Sequence, residues 1–231
     1  MKSPLALALA LALAFALALP AHSSPPPSTP APPADAAPAA TPSADPAQKL
    51  AKSGLEKLAK NDLLGAQADF EKVLTLAPDN LPTTINLGLV AYRLKKYPLA
   101  RDLLKKAVRL QPDSALAWLT LGVIEYDQSQ FNAALAALSQ ATLLDPKNPL
   151  AHQYLGVTVG KKGWLSAAED ELRQAIELDP LAAEAHFNLA VFYLQRSPPA
   201  TELARRHYQK ALDLGSPPDP EVAKNLPTPE E

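Results

Sequence analysis

The 231-residue sequence contains no cysteine, which excludes a disulfide framework, a Cys-ligated metal site and thiol catalysis. Excess charge of one sign is also missing: 22 Lys and Arg stand against 24 Asp and Glu, a formal net charge of −2, which argues against a dedicated nucleic-acid binder. Glycine is scarce, at 8 residues, and no glycines have the close spacing that cradles a phosphate. Proline, by contrast, is frequent at 25 residues, and its placement carries much of the information in the chain.

Met1 to Leu19 has one positive charge, at Lys2, then an unbroken Leu/Ala/Phe run from Leu5 to Leu19, then Pro20 and the small residues Ala21, Ser23 and Ser24. That order is the layout of a secretory signal peptide, expected over residues 1–23 with cleavage after Ala21 or Ser23. The apolar run would span about 22 Å as a helix at ~1.5 Å per residue, short against a hydrocarbon core of roughly 30 Å. An uncleaved membrane anchor and a buried Ala/Leu helix are the other readings. No Cys follows, so lipid attachment of the bacterial lipoprotein type is excluded. Residues 24–46 hold nine prolines among Ala, Ser and Thr, with only Asp35 and Asp45 charged. Such a segment buries too little apolar area to offset its ordering entropy and reads as a disordered linker of polyproline II character.

From residue 47 the chain is periodic. Pro78, Pro112, Pro146 and Pro180 are each 34 apart, as are Gly54, Gly88, Gly122 and Gly156, and Ala66, Ala100, Ala134 and Ala168. Three residue sets on one period define blocks 47–80, 81–114, 115–148, 149–182 and 183–218. In the last, Leu189 and Ala190 keep the phase, but Ala204 and Ala211 arrive two residues late, which puts an insertion around Ser197, Pro198 and Pro199. Apolar spacing is helical twice within each block. In the third, Trp118, Leu121 and Gly122 lie on a first helix and Phe131, Ala134, Leu138, Ala141 and Leu144 on a second, which Pro146 stops. Gly122 and Ala134 are small residues that let two helices approach, with Trp118, Phe131 and Leu138 filling the space around them. Residues 219–231 read as a short capping helix, begun by Asp219, and an acidic tail.

The order Trp118, Leu121, Gly122, Ala134, Ala141, Pro146 resembles the tetratricopeptide repeat (TPR) pattern. The resemblance implies an all-α, right-handed superhelical solenoid of about five helix-turn-helix repeats over 47–218. The departures are Glu125 in a slot where Tyr is usual, Leu138 in place of an aromatic, His152 and His186 in the Trp slot, and Ser53 and Lys57 at normally apolar slots of the first block.

The family's first helices line a concave wall that holds peptides. On those helices a second apolar stripe runs with 4-then-3 spacing: Ala51, Leu55, Leu58; Ile85, Leu89, Tyr92; Leu119, Val123, Tyr126; Gln153, Val157, Gly160; Phe187, Val191, Leu194. The resemblance places it on the concave wall, and an exposed apolar patch of that length signals a binding surface. Asn86, Thr120, Tyr154 and Asn188 lie between its columns as candidate donors and acceptors for a ligand backbone. The expected function is a non-enzymatic scaffold that binds a protein or peptide partner there. The competing account of the stripe is packing against the neighbouring repeat, or cover by the chain's own leader or tail. Of the family's carboxylate clamp only Asn86 has an equivalent, which sets aside a terminal-carboxylate ligand.

The second block carries seven basic residues against Asp102 and Asp113. A basic face there gives the alternative role, a cell-wall or membrane-surface accessory factor contacting anionic polymer or lipid. No metal or cofactor is expected: His152 and His186 are one period apart in a packing slot, with no acidic partner evident, and His207, beside Arg205 and Arg206, reads as a surface residue. An exported protein, periplasmic or secreted, is the expected localisation.

Overall fold

The computed structural model describes residues 45–226, so the expected signal peptide and nearly all of the Pro-rich linker lie outside the described residues. The described chain is all helix and turn and falls into two units, which divide between residues 96 and 97.

The first unit contains α1 (Pro46–Ala59), α2 (Leu63–Leu76) and α3 (Leu81–Arg93). Asp45 caps α1, its side chain accepting from the Ala47 amide, and Pro46 takes the first turn, where a missing N–H costs nothing. The helix therefore starts inside what the composition marks as linker. α1 pairs with α2, and α2 packs on α3. Phe70 is fully buried against Gly54. The two polar departures of this block share one answer: the buried Asp69 accepts hydrogen bonds from Ser53 Oγ and Lys57 Nζ, both at 2.6 Å. These bonds hold its carboxyl below the usual range against the opposing effect of burial.

The second unit runs α4 (Tyr97–Leu110), α5 (Ala115–Asp127), α6 (Phe131–Leu144), α7 (Pro149–Lys161), α8 (Leu165–Leu178), α9 (Ala183–Gln195), α10 (Thr201–Asp213) and α11 (Pro220–Lys224). Consecutive helices pack in order from α4 to α10, most closely in the pairs α5/α6, α7/α8 and α9/α10, and α5, α7 and α9 also touch in sequence. This is the layered stacking of a solenoid, in which each helix pair covers the apolar face of the one before it.

Two local devices repeat with the period. Asn80, Ser114 and Asn148 each cap the first helix of a block by accepting backbone N–H groups. The turn between the two helices of a block places Asn61, Lys95, Ser129 and Gly163, all 34 apart, at positive φ. Each is followed by an amide that reaches back five residues, as from Gln130 to the Glu125 carbonyl, which closes the helix end. Only the last of the four is glycine, so composition gave no sign of this position. In the fifth block the turn is longer, residues 196–200 against 162–164 in the fourth.

Candidate functional site

The stripe expected to line an open trough is largely packed away. Ile85, Asn86 and Leu89 on α3 are buried, as are Leu119, Thr120 and Val123 on α5 and Gln153, Tyr154 and Val157 on α7; Val123 is 1% exposed. In the second unit the reason is geometric. α5 meets its own partner α6, the preceding α4 and the next first helix α7, and α7 is similarly enclosed, so an apolar stripe between those contacts becomes core. The polar candidates are spent as well. Thr120 donates to the Leu116 carbonyl of its own helix at 2.7 Å, and Gln153 Nε2 donates to Glu184 of α9 at 3.4 Å. Tyr92, Tyr126, Phe187, Asn188 and Val191 stay half-buried, with the Tyr126 ring against Phe131 and Tyr154.

The stripe is open at the two ends of the array: on α1, where Leu55 is exposed and Ala51 and Leu58 are half-buried, and on α9, in the last repeat. Phe187, Val191 and Leu194 there pack beside Ala190, Tyr208 and Val222, and next to them lies a cavity of about 370 Å³. Val191, Leu194 and Gln195 of α9 line it, with Pro199 and Thr201 from the long turn and the start of α10, and Glu221, Val222 and Asn225 from the terminal segment. The volume is at the lower end for a ligand pocket and takes one or two apolar side chains. The two-residue insertion builds one wall of this cavity through Pro199.

Histidine has replaced Trp in two blocks while keeping one function of the indole. Trp118 Nε1 donates to the Pro112 carbonyl at 2.8 Å, and the Nε2 atoms of His152 and His186 face the Pro146 and Pro180 carbonyls at 3.0 and 3.3 Å. A ring N–H thus ties the first helix to the residue that ended the previous block. The other ring nitrogens diverge. His152 Nδ1 meets Glu171 Oε2 at 2.7 Å, an acidic neighbour the sequence did not reveal. His186 Nδ1 meets His207 Nδ1 at 2.9 Å, the two rings stacked, so His207 is half-buried packing and not the surface residue expected. With His186 donating through Nε2, its Nδ1 accepts the His207 Nδ1–H.

Burial, then the charges of His186 and Arg173, push His207 down to about 4; burial and, more weakly, Lys210 lower His186, against the opposing bond to Pro180. Two cations beside the pair make it a poor cation site, and among the described residues no group of three or more His, Cys, Asp or Glu is placed to hold a metal.

Because unfolded histidine titrates near 6.5, the unfolded chain takes up protons below that pH that the folded His207 refuses. The stabilisation from a neutral pair is complete above pH ~6.5 and is lost as pH falls towards ~4. The urea midpoint is expected to hold steady from pH 8 to 7 and to drop between 6.5 and 5. His207→Gln should flatten that drop, and an unchanged slope in the variant would remove the pair as its cause.

The basic face is thinner than the sequence implies. Arg101 is engaged with the buried Glu125 at 2.9 Å, which leaves Lys105 and Arg109 exposed on α4. No helix among the described residues is long and apolar enough to cross a membrane.

Compared with known proteins, a family model described as tetratricopeptide repeat matches residues 52–115 and 161–220, more than half of the chain, and one described as TPR repeat matches 122–163. No curated protein matches the sequence. Among solved structures, MamA is 26% identical with a TM-score of 0.63, over 73% of this chain and 91% of that one. YrrB, described as a TPR protein with an unusual peptide-binding site, is 25% identical with a TM-score of 0.62, over 77% and 90%. PilF of Pseudomonas aeruginosa, 18% identical, has a TM-score of 0.69 over 75% and 78%, a likeness of fold alone.

Proposed function

The chain belongs to the tetratricopeptide repeat family, and from that premise we propose that it is a non-enzymatic scaffold that holds a protein or peptide partner. The observation that carries this reading is the cavity beside Val191 and Leu194, where the first-helix stripe emerges from the core with a polar rim of Gln195 and Asn225. The contact set is accordingly the half-buried members of the expected stripe within the second unit, Tyr126, Phe187, Asn188 and Val191, with Leu194. Leu119, Thr120, Val123, Gln153, Tyr154 and Val157 belong to the core of the same unit, and Ile85, Asn86 and Leu89 are buried in the first. The peptide-binding description of YrrB favours the same reading.

Export through residues 1–23 belongs to the proposal, as does a partner in the periplasm or outside the cell. The test uses the full chain, expressed in a bacterial host, with a photo-reactive phenylalanine at Leu194 and, in a second version, at Lys105. A discrete protein adduct is expected from Leu194, lost on Val191→Glu in a chain whose helical circular dichroism is native. The same mass spectrum should show a mature start at His22 or Ser24. Adducts from Lys105 alone would move the site to the basic face of α4, and binding to anionic surfaces would then be the function to pursue.

A further inference from the structure

The open end of the stripe on α9 is already partly occupied, by the chain itself. After α10, residues 214–218 reverse the chain, and α11 lies against the α9 stripe where the first helix of a sixth repeat would stand. Its attachment is slight. Val222 is its one buried side chain, joined by Leu226 against the cluster of Ala190 and Tyr208. The Tyr208 hydroxyl supplies the rest, accepting from the Asp219 amide at 2.8 Å and donating to the Asp219 carbonyl at 3.1 Å. A helix of one turn and a half has no stability of its own, and α11 is held because its tether keeps it at high local concentration. It also fills its seat incompletely: the cavity continues beside it along Val191 and Leu194.

We propose that α11 is an internal competitor, seated where an amphipathic helix of a partner docks, and that this partner helix carries aliphatic side chains at i, i+4 and i+7. The first two positions repeat the spacing of Val222 on α11 and Leu226 just past its end, and the third is the added contact by which a partner exceeds α11. The proposal rests on the scaffold reading and names the partner class for its site. α11 then sets a threshold: a segment offering only the two contacts of α11 competes poorly with a tethered copy, and a segment offering three displaces it.

The test uses the full chain and a fluorescein-labelled peptide that repeats Pro217 to Leu226 and continues with Ala-Ala-Leu, followed by fluorescence polarisation. The native chain should bind it weakly and Val222→Asp at least tenfold more tightly, since its own α11 has lost its anchor. Tyr208→Phe, which keeps the ring against Phe187 and drops both bonds to Asp219, should tighten binding several-fold and serves if Val222→Asp fails to fold. Adding Val191→Asp to either should abolish the gain. Equal affinity in the native chain and both variants overturns the proposal, as does binding that survives Val191→Asp. A native dimer by light scattering, with α11 exchanged between copies, overturns the partner assignment in favour of self-association. If Leu194 gives its adduct but the peptide fails, the scaffold reading stands and this one falls; if neither works, both fall.

Discussion

Gly122→Val is expected to destabilise the protein by about 3 kcal/mol. Removing a glycine from a helix interior ordinarily helps, by up to about 1 kcal/mol for alanine, because the unfolded chain loses freedom. At this position sterics win. A Cβ on Gly122 would stand 2.6 Å from Leu138 Cγ and 3.2 Å from the Leu138 backbone nitrogen. The side chain has nowhere to turn, since Leu138 is fully buried, and the nitrogen moves only if all of α6 moves. Leu138→Ala alone should cost about 2–5 kcal/mol by opening a cavity. The two changes together should cost clearly less than their sum, because each relieves the other's fault. Urea unfolding followed by circular dichroism measures all three. Simple additivity would mean that Gly122 and Leu138 do not meet.

Arg101→Met is expected to cost about 2–3 kcal/mol, for an electrostatic reason. The Glu125 side chain is 4% exposed and its carboxylate accepts from Arg101 Nε at 2.9 Å across the α4/α5 contact. Taking away the guanidinium strands a charge that water reaches poorly; the one-third exposure of Arg101 keeps the cost below that of a fully buried pair. Replacing both, Arg101→Met with Glu125→Leu, should return stability to within about 1 kcal/mol of native, since two apolar side chains fill the slot without a desolvation cost. A double variant as weak as the single would show that packing, not the stranded charge, sets the loss.

The helix pairs of this fold were legible because two constraints write themselves into composition. Small residues must sit where axes approach, as at Gly122 and Ala134, and proline must sit where a helix may not continue, as at Pro146. The insertion in the last repeat was legible as a break in phase. Exposure along the stripe was not. Spacing says which face a residue is on and is silent about depth, and Val123 and Val191 occupy the same slot of their repeats with opposite fates. α7 follows α5 and encloses the first, while only the short α11 follows α9. The partners of the polar departures were hidden for a related reason. Ser53 and Lys57 looked like lapses in a terminal unit until Asp69, on another helix, gave them a common acceptor. His207 looked exposed because its neighbours in sequence are arginines, whereas its neighbour in space is His186.

The Arg101–Glu125 pair has a counterpart further along in Arg173, whose guanidinium donates to the Tyr193 hydroxyl at 3.0 Å. A chain built on a period of 34 faces a hazard that irregular folds do not: a helix pair can dock one unit out of step and find nearly the same apolar surface waiting. Docked one unit out of step, α7 would set Val159 opposite Arg101 in place of Glu125, and Glu125 would be left without its guanidinium. Each polar pair thus works as a registration mark, cheap when the order is right and costly when it is not, so the repeats assemble in sequence even though their cores are nearly interchangeable.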